Sequence, residues 1–144
     1  MDEARETAIR LLARREHSRR ELAAKLVARG FGDAAVAEVL DALEAEGLLS
    51  DVRFVESYLH SRREKGYGPL RLRAELRERG VDEALIESGL AALDAEWALL
   101  CERAWRKRFG GRRPRDFGER ARQQRFLYQR GFAPEHFRSL LEGE

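Results

Sequence analysis

The sequence predicts an all-α protein: three tandem three-helix modules, about nine helices, strung into an elongated, curved array. Three observations predict it. Arg-Gly recurs at Arg29-Gly30, Arg79-Gly80 and Arg130-Gly131, with the glycines 50 and 51 residues apart, a period typical of helical repeats. The same apolar positions return around each glycine: Leu26, Leu76 and Leu127 four before it; Val36, Ile86 and Phe137 six after it; Leu40, Leu90 and Leu141 ten after it. Only three prolines occur in 144 residues, and strong helix formers fill the rest. The third copy departs in one place: eight before the glycine, Leu22 and Leu72 give way to Gln123.

Cap chemistry sets the boundaries. An opening helix covers about 3–16. Ser18-Arg19-Arg20-Glu21 is a capping box that opens a helix over 19–29, which Gly30 closes in the left-handed C′ conformation. Asp33 caps 33–46, closed by Gly47, and Asp51 caps 51–65, closed by Gly66. Gly68-Pro69 opens 69–79 with proline at its favoured first position, and Asp82 caps 83–94. The third module reads as 95–109, 117–130 and 134–142, with Gly110-Gly111-Arg112-Arg113-Pro114 as the clearest loop. No glycine or proline separates Asp94 from Ala95, so one long helix can run across that boundary. The module bounds are 1–48, 49–94 and 95–144. Phe54, Tyr58, Trp97, Leu100 and Trp105 fall at helical spacing and read as core. Arg29, Arg79 and Arg130 sit where a helix dipole favours a cation, a structural role.

Composition narrows the function. Hydrophobic residues make up 43% and charged residues 38%, too apolar for a disordered chain, so the charge belongs on solvated helix faces. The net charge of +2 hides an asymmetry. Residues 1–50 carry ten acids and eight bases, 51–94 nine and eight, but 95–144 seven and twelve. A run from Arg103 to Arg125, broken only by Asp116 and Glu119, suits a polyanion or an acidic protein surface. Cys101 is a lone cysteine that reads as a half-buried small hydrophobe, excluding an internal disulfide. His17, His60 and His136 lie far apart with no metal-ligand spacing, His17 reading as a turn residue, and no phosphate loop ends in Gly-Lys-Ser/Thr. These point away from an enzyme, a cofactor or a metal. No run reaches the length of a membrane span and Met1-Asp2-Glu3 is no signal peptide, so a cytoplasmic, monomeric protein is expected.

Seven segments stand in a fixed order: Arg15-Glu16-His17-Ser18-Arg19-Arg20-Glu21-Leu22, Arg29-Gly30-Phe31, Gly47-Leu48-Leu49-Ser50-Asp51, Arg53-Phe54-Val55-Glu56, Lys65-Gly66-Tyr67-Gly68-Pro69, Lys107-Arg108-Phe109-Gly110 and Arg125-Phe126-Leu127-Tyr128-Gln129-Arg130-Gly131-Phe132. In that order and at that spacing they resemble the RecX family of bacterial regulators of the RecA recombinase. The resemblance runs from about Ala8 to Leu141. Ser50, where an acid is usual, and Gly89, where alanine is usual, depart from it. It implies three tandem three-helix modules and a non-enzymatic regulator that binds the RecA–DNA filament groove. Such a regulator suppresses ATP hydrolysis, strand exchange and co-protease activity.

The candidate contact residues are basic: Arg53, Arg62, Lys65, Arg73 and Arg77 in the second module, and Arg106, Lys107, Arg108, Arg112, Arg122 and Arg125 in the third. Arginine suits both carboxylate and phosphate, because its fork binds either bidentately. The partner is therefore a RecA filament groove or, in the alternative reading, single- or double-stranded DNA bound without sequence readout and without RecA.

Overall fold

A computed structural model describes residues 3–142; Met1, Asp2, Gly143 and Glu144, which the outer module bounds take in, lie outside it. Among the described residues there are nine α-helices and no strand. They are α1 (Glu3–Arg14), α2 (Arg19–Ala28), α3 (Asp33–Ala45), α4 (Asp51–Glu64), α5 (Pro69–Glu78), α6 (Glu83–Ala91), α7 (Trp97–Phe109), α8 (Phe117–Arg130) and α9 (Pro134–Glu142). The chain forms two compact units, Met1–Tyr58 with Leu76–Ile86 and Leu59–Glu75 with Glu87–Glu144, so the division passes through α4, α5 and α6.

The repeated glycines end α2, α5 and α8 with one device. Phe31, Val81 and Phe132 each donate their amide to the carbonyl five residues back, on Leu26, Leu76 and Leu127, at 3.2, 3.2 and 3.1 Å. Gly30, Gly80 and Gly131 take φ of 97°, 77° and 104°. This is the Schellman motif, which satisfies carbonyls that the helix end would leave open. The repeat seen in the sequence is thus a repeated hydrogen-bonding pattern.

In the first unit, Ala4, Ala8 and Leu11 of α1 meet Leu22 and Leu26 of α2 and Val36, Val39, Leu40 and Leu43 of α3. Spacings of three, four and seven put each set on one helix face. Each leucine buried this way stabilises the fold by about 1.5–3 kcal/mol relative to exposure. In the second unit, Trp97, Cys101 and Trp105 form the buried stripe of α7, with Leu127, Phe132, Phe137 and Leu141 buried on α8, α9 and the turn between them. Phe54 is also buried, and Tyr58 and Leu100 are half-buried. Cys101 is fully buried rather than half-buried.

Several boundary expectations are corrected. Asp33 does not cap α3: it is the first helical residue, and Gly32 precedes it without a side-chain cap. Ser50 stands at the start of α4, its hydroxyl accepting the amide of Arg53 at 3.2 Å. Asp51 instead accepts the amide of Arg19 at 2.8 Å, closing the start of α2 from a distance. No long helix crosses Asp94–Ala95. The backbone tightens after α6 into bonds from Leu93 to Leu90 and from Glu96 to Leu93, giving a 3₁₀ turn over Asp94–Glu96 before α7. The capping box at Ser18 is present, with Glu21 N to Ser18 Oγ at 3.0 Å and Ser18 N to Glu21 Oε1 at 3.1 Å. The Ser18 hydroxyl also donates to the Arg79 carbonyl at 2.8 Å.

His17 lies in the turn between α1 and α2, as expected, but is 1% exposed. Its Nε2 stands 2.8 Å from Lys25 Nζ and its Nδ1 3.1 Å from the Arg15 carbonyl. The ammonium can only donate, so Nε2 accepts and Nδ1–H donates, which fixes a neutral imidazole. Burial, then the charge of Arg15, hold its pKa below 6.5, and burial does the same for His136. The unfolded chain therefore takes up these protons first. Stability is complete above about pH 6.5 and falls as pH drops through the lowered pKa values. Urea midpoints should decline from pH 7 to 5, and His17→Gln should remove part of that slope. An unchanged slope would show that His17 is not its source.

Candidate functional site

The basic residues divide by what each side chain meets. Those picked out in the second module are mostly held by glutamates. Arg53 Nε meets Glu16 at 3.0 Å. Arg62 forks onto Glu75 at 3.0 and 2.8 Å, and Arg71 donates to the same carboxylate at 3.0 Å. On α5, Arg73 forks onto Glu87 at 2.7 and 3.1 Å, and Arg77 onto Glu83 at 2.5 and 3.0 Å. Lys65 is exposed and has no carboxylate partner among the described residues. The exposed pairs of Arg73 and Arg77 add little stability, roughly 0–1 kcal/mol each, while the Arg62–Glu75 pair is part-buried; a two-point pair fixes the plane of its guanidinium.

In the third module the balance shifts. Arg106 pairs with Glu102, one turn earlier on α7, at 3.0 Å. Lys107, Arg108, Arg112, Arg122 and Arg125 are all exposed and meet no carboxylate among the described residues. Arg115 and Glu119, which interrupt this group, neutralise each other at 3.1 Å. The surplus positive charge of the C-terminal third therefore lies along α7, the following loop and α8.

Aromatic rings thread through these cations. Arg62, Arg71 and Arg130 lie 4.0, 4.4 and 4.9 Å from the Tyr67 ring centroid. Arg130 and Arg108 lie 5.3 and 5.5 Å from Phe126, which meets Phe109 edge-on at 5.4 Å. These distances suit cation–π attraction. Arg130 also donates to the Lys65 carbonyl at 3.3 Å, so it does more than compensate a helix dipole. Arg79 likewise lies 3.7 Å from Glu21 and over the ring of Tyr58.

Two residues absent from the candidates stand out in three dimensions. Phe117 is 84% and Tyr128 60% exposed. They stand three turns apart on α8, about 16 Å, together on one flank of the helix beside the stripe of buried Gln123 and Leu127. Arg125 faces outward next to the rings, and Arg122 lies on the other flank. The sequence signal was available: once the buried register of α8 is fixed, both rings fall off it.

Gln123 is buried in the second unit. Its Oε1 accepts the Trp105 indole N–H at 2.8 Å and its Nε2 donates to the Arg112 carbonyl at 2.9 Å. It therefore ties the basic loop after α7 to α8, with Trp105 as the anchor.

Among the described residues no group of His, Cys, Asp and Glu could hold a metal ion, and no helix is long and apolar enough to cross a membrane. Comparison with known proteins identifies the arrangement. Family models described as the first, second and third three-helix domains of RecX match residues 4–43, 50–90 and 95–141. Regulatory protein RecX of Pseudomonas entomophila is 47% identical over 139 residues, 96% of this chain and 90% of that protein. The protein of the same name from Pseudomonas putida (strain GB-1) is 45% identical over 139 residues, covering 96% and 89%. The crystal structure of RecX from Lactobacillus salivarius superposes with a TM-score of 0.81 at 18% identity, over 96% of this chain and 92% of that one. A second RecX crystal structure gives 0.81 at 20% identity, over 96% and 70%. The fold, the three matched domains and the full-length relatives agree: the chain belongs to the RecX family of regulatory proteins.

Proposed function

We propose that this protein docks in the groove of a RecA–DNA filament and inhibits RecA ATP hydrolysis, strand exchange and co-protease activity, so modulating recombination, DNA repair and the SOS response. It does so in the cytoplasm as a monomer without catalysis of its own. The observation that carries the reading is family membership across all three modules, from residue 4 to 141. Tandem modules with basic faces support it: several weak contacts, linked in one chain, bind with an avidity that none has alone. Substoichiometric protein should inhibit the single-strand-DNA-dependent ATPase of RecA. Undiminished hydrolysis at saturating protein in moderate salt would overturn the proposal.

Arg73 and Arg77 make the contact surface testable. Their ion pairs are largely exposed, so reversing both charges should cost at most about 1–2 kcal/mol of stability while weakening inhibition several-fold. If the double variant inhibits at full strength, this part of α5 is not a contact surface.

A second reading is direct DNA binding without RecA. The observation that favours it is the solvent-facing surface of α8, where exposed Phe117 and Tyr128 flank Arg125, with Arg122 further round the helix. Rings and cations so combined suit stacking on bases beside a phosphate track. Affinity for naked DNA should then fall steeply with salt and be indifferent to RecA; a weak salt dependence would argue against it.

A further inference from the structure

The first fifty residues carry more acids than bases, yet their cations are not evenly neutralised. In the first unit Arg5, Arg15, Arg19 and Arg53 each meet a carboxylate. Arg10, Arg14 and Arg29 meet none among the described residues, and all three are exposed. They surround one concavity between α1 and the end of α2, floored by Leu11 and Phe31 and bordered by Thr7, with no acidic residue in its lining. Arg10 is positioned by a bond to the Thr7 hydroxyl at 3.3 Å. The charge there is felt nearby: burial first, then Arg15, Arg29 and Arg14, lower the pKa of Lys25, with only Glu21 opposing them.

Helix dipoles explain part of this. Arg14 closes α1 and Arg29 follows α2, where cations are favoured. The dipole accounts neither for Arg10, a turn earlier, nor for an apolar floor within a cationic rim.

We infer that this concavity is a docking site for an acidic peptide segment bearing one large apolar side chain. The apolar residue rests on Leu11 and Phe31, and its flanking carboxylates meet the guanidiniums. Arg10 and Arg14, one turn apart, stand about 6 Å from each other, a spacing that neighbouring acidic side chains of a helical or extended peptide can match. Charge complementarity selects the acids, and the floor selects against a bare phosphate backbone, which has nothing to place there. The inference names a chemistry and not a protein, so it stands whether or not RecA is the partner.

The test uses the full chain and a fluorescein-labelled peptide with Asp and Glu flanking a single Phe, read by anisotropy. Arg10→Glu/Arg14→Glu should weaken binding by about tenfold or more, whereas Arg138→Glu at an exposed position of α9, outside every candidate contact surface, should leave it within about twofold. If circular dichroism shows the reversal to be unfolded, Arg10→Gln/Arg14→Gln serves in its place. The inference is overturned if the peptide does not bind, if its Asn/Gln counterpart binds as tightly, or if neither substitution at Arg10 and Arg14 has an effect. It is also overturned if an oligo-dT strand displaces the peptide through the same arginines, which would assign the surface to nucleic acid.

Discussion

Gly131→Ala is expected to be the most damaging of three identical substitutions at the Arg-Gly repeats. All three glycines have positive φ, which costs an alanine about 1–2 kcal/mol. Their surroundings differ. A Cβ on Gly30 meets nothing within 4 Å. On Gly80 it would meet the exposed Arg20 side chain, whose Cδ at 2.1 Å can swing away but whose Cβ at 2.8 Å cannot without a small backbone shift. On Gly131 it would meet backbone, the Arg71 amide nitrogen at 2.7 Å and the Gly68 carbonyl oxygen at 2.8 Å. Gly68 and Leu70 also donate to the carbonyls of Arg130 and Gly131 at 2.7 and 2.9 Å, so relief would break those bonds. Overpacking adds about 1–3 kcal/mol, giving about 2–5 kcal/mol in all for Gly131→Ala. Melting curves should rank the variants Gly30, Gly80, Gly131 from mildest to worst. Gly131→Ala melting within about 3 °C of Gly30→Ala would show that the close backbone approach does not limit the fold.

The second large effect runs against the repeat. Gln123 occupies the position held by Leu22 and Leu72 in the other copies, so Gln123→Leu restores the pattern. It should nevertheless destabilise the protein by about 1–3 kcal/mol, because the buried Trp105 N–H and the Arg112 carbonyl both lose a partner. The leucine's extra apolar burial offsets part of this. Urea denaturation measures the loss, and tryptophan emission reports the altered surroundings of Trp105. Limited proteolysis should cut at Arg112 or Arg113 more readily once the loop is released. An increase in stability would mean that shape alone decides this site.

These two positions mark how far the sequence could be read. The period, the cap at Ser18 and the core register were legible because each is local: a glycine where φ must be positive, a hydroxyl three residues before a glutamate, leucines on one face. The exchange between Asp51 and the start of α2 was not, since its partners are thirty-two residues apart. The turn at Asp94–Glu96 escaped for the opposite reason. Ala91, Ala92 and Leu93 are good helix formers, and nothing in their identity announces a break. For the candidate surface, counting charges located the basic run. It could not separate Arg62, Arg73 and Arg77, whose glutamates come from other helices, from Arg122 and Arg125, which meet none among the described residues. Nor could it find Arg10, Arg14 and Arg29, masked by a net-acidic segment.

The chain's single sulfhydryl has a practical consequence. Cys101 lies fully buried on α7, and burial, aided by Glu102, pushes its pKa up to about 12. At pH 8 only about one such group in ten thousand would be ionised while the helix stays packed. An added thiol reagent thus has almost nothing to attack until α7 lifts away. The labelling rate then becomes a clock for that opening, and binding of a filament or an oligonucleotide to the third module should slow it in proportion to how firmly the module is held.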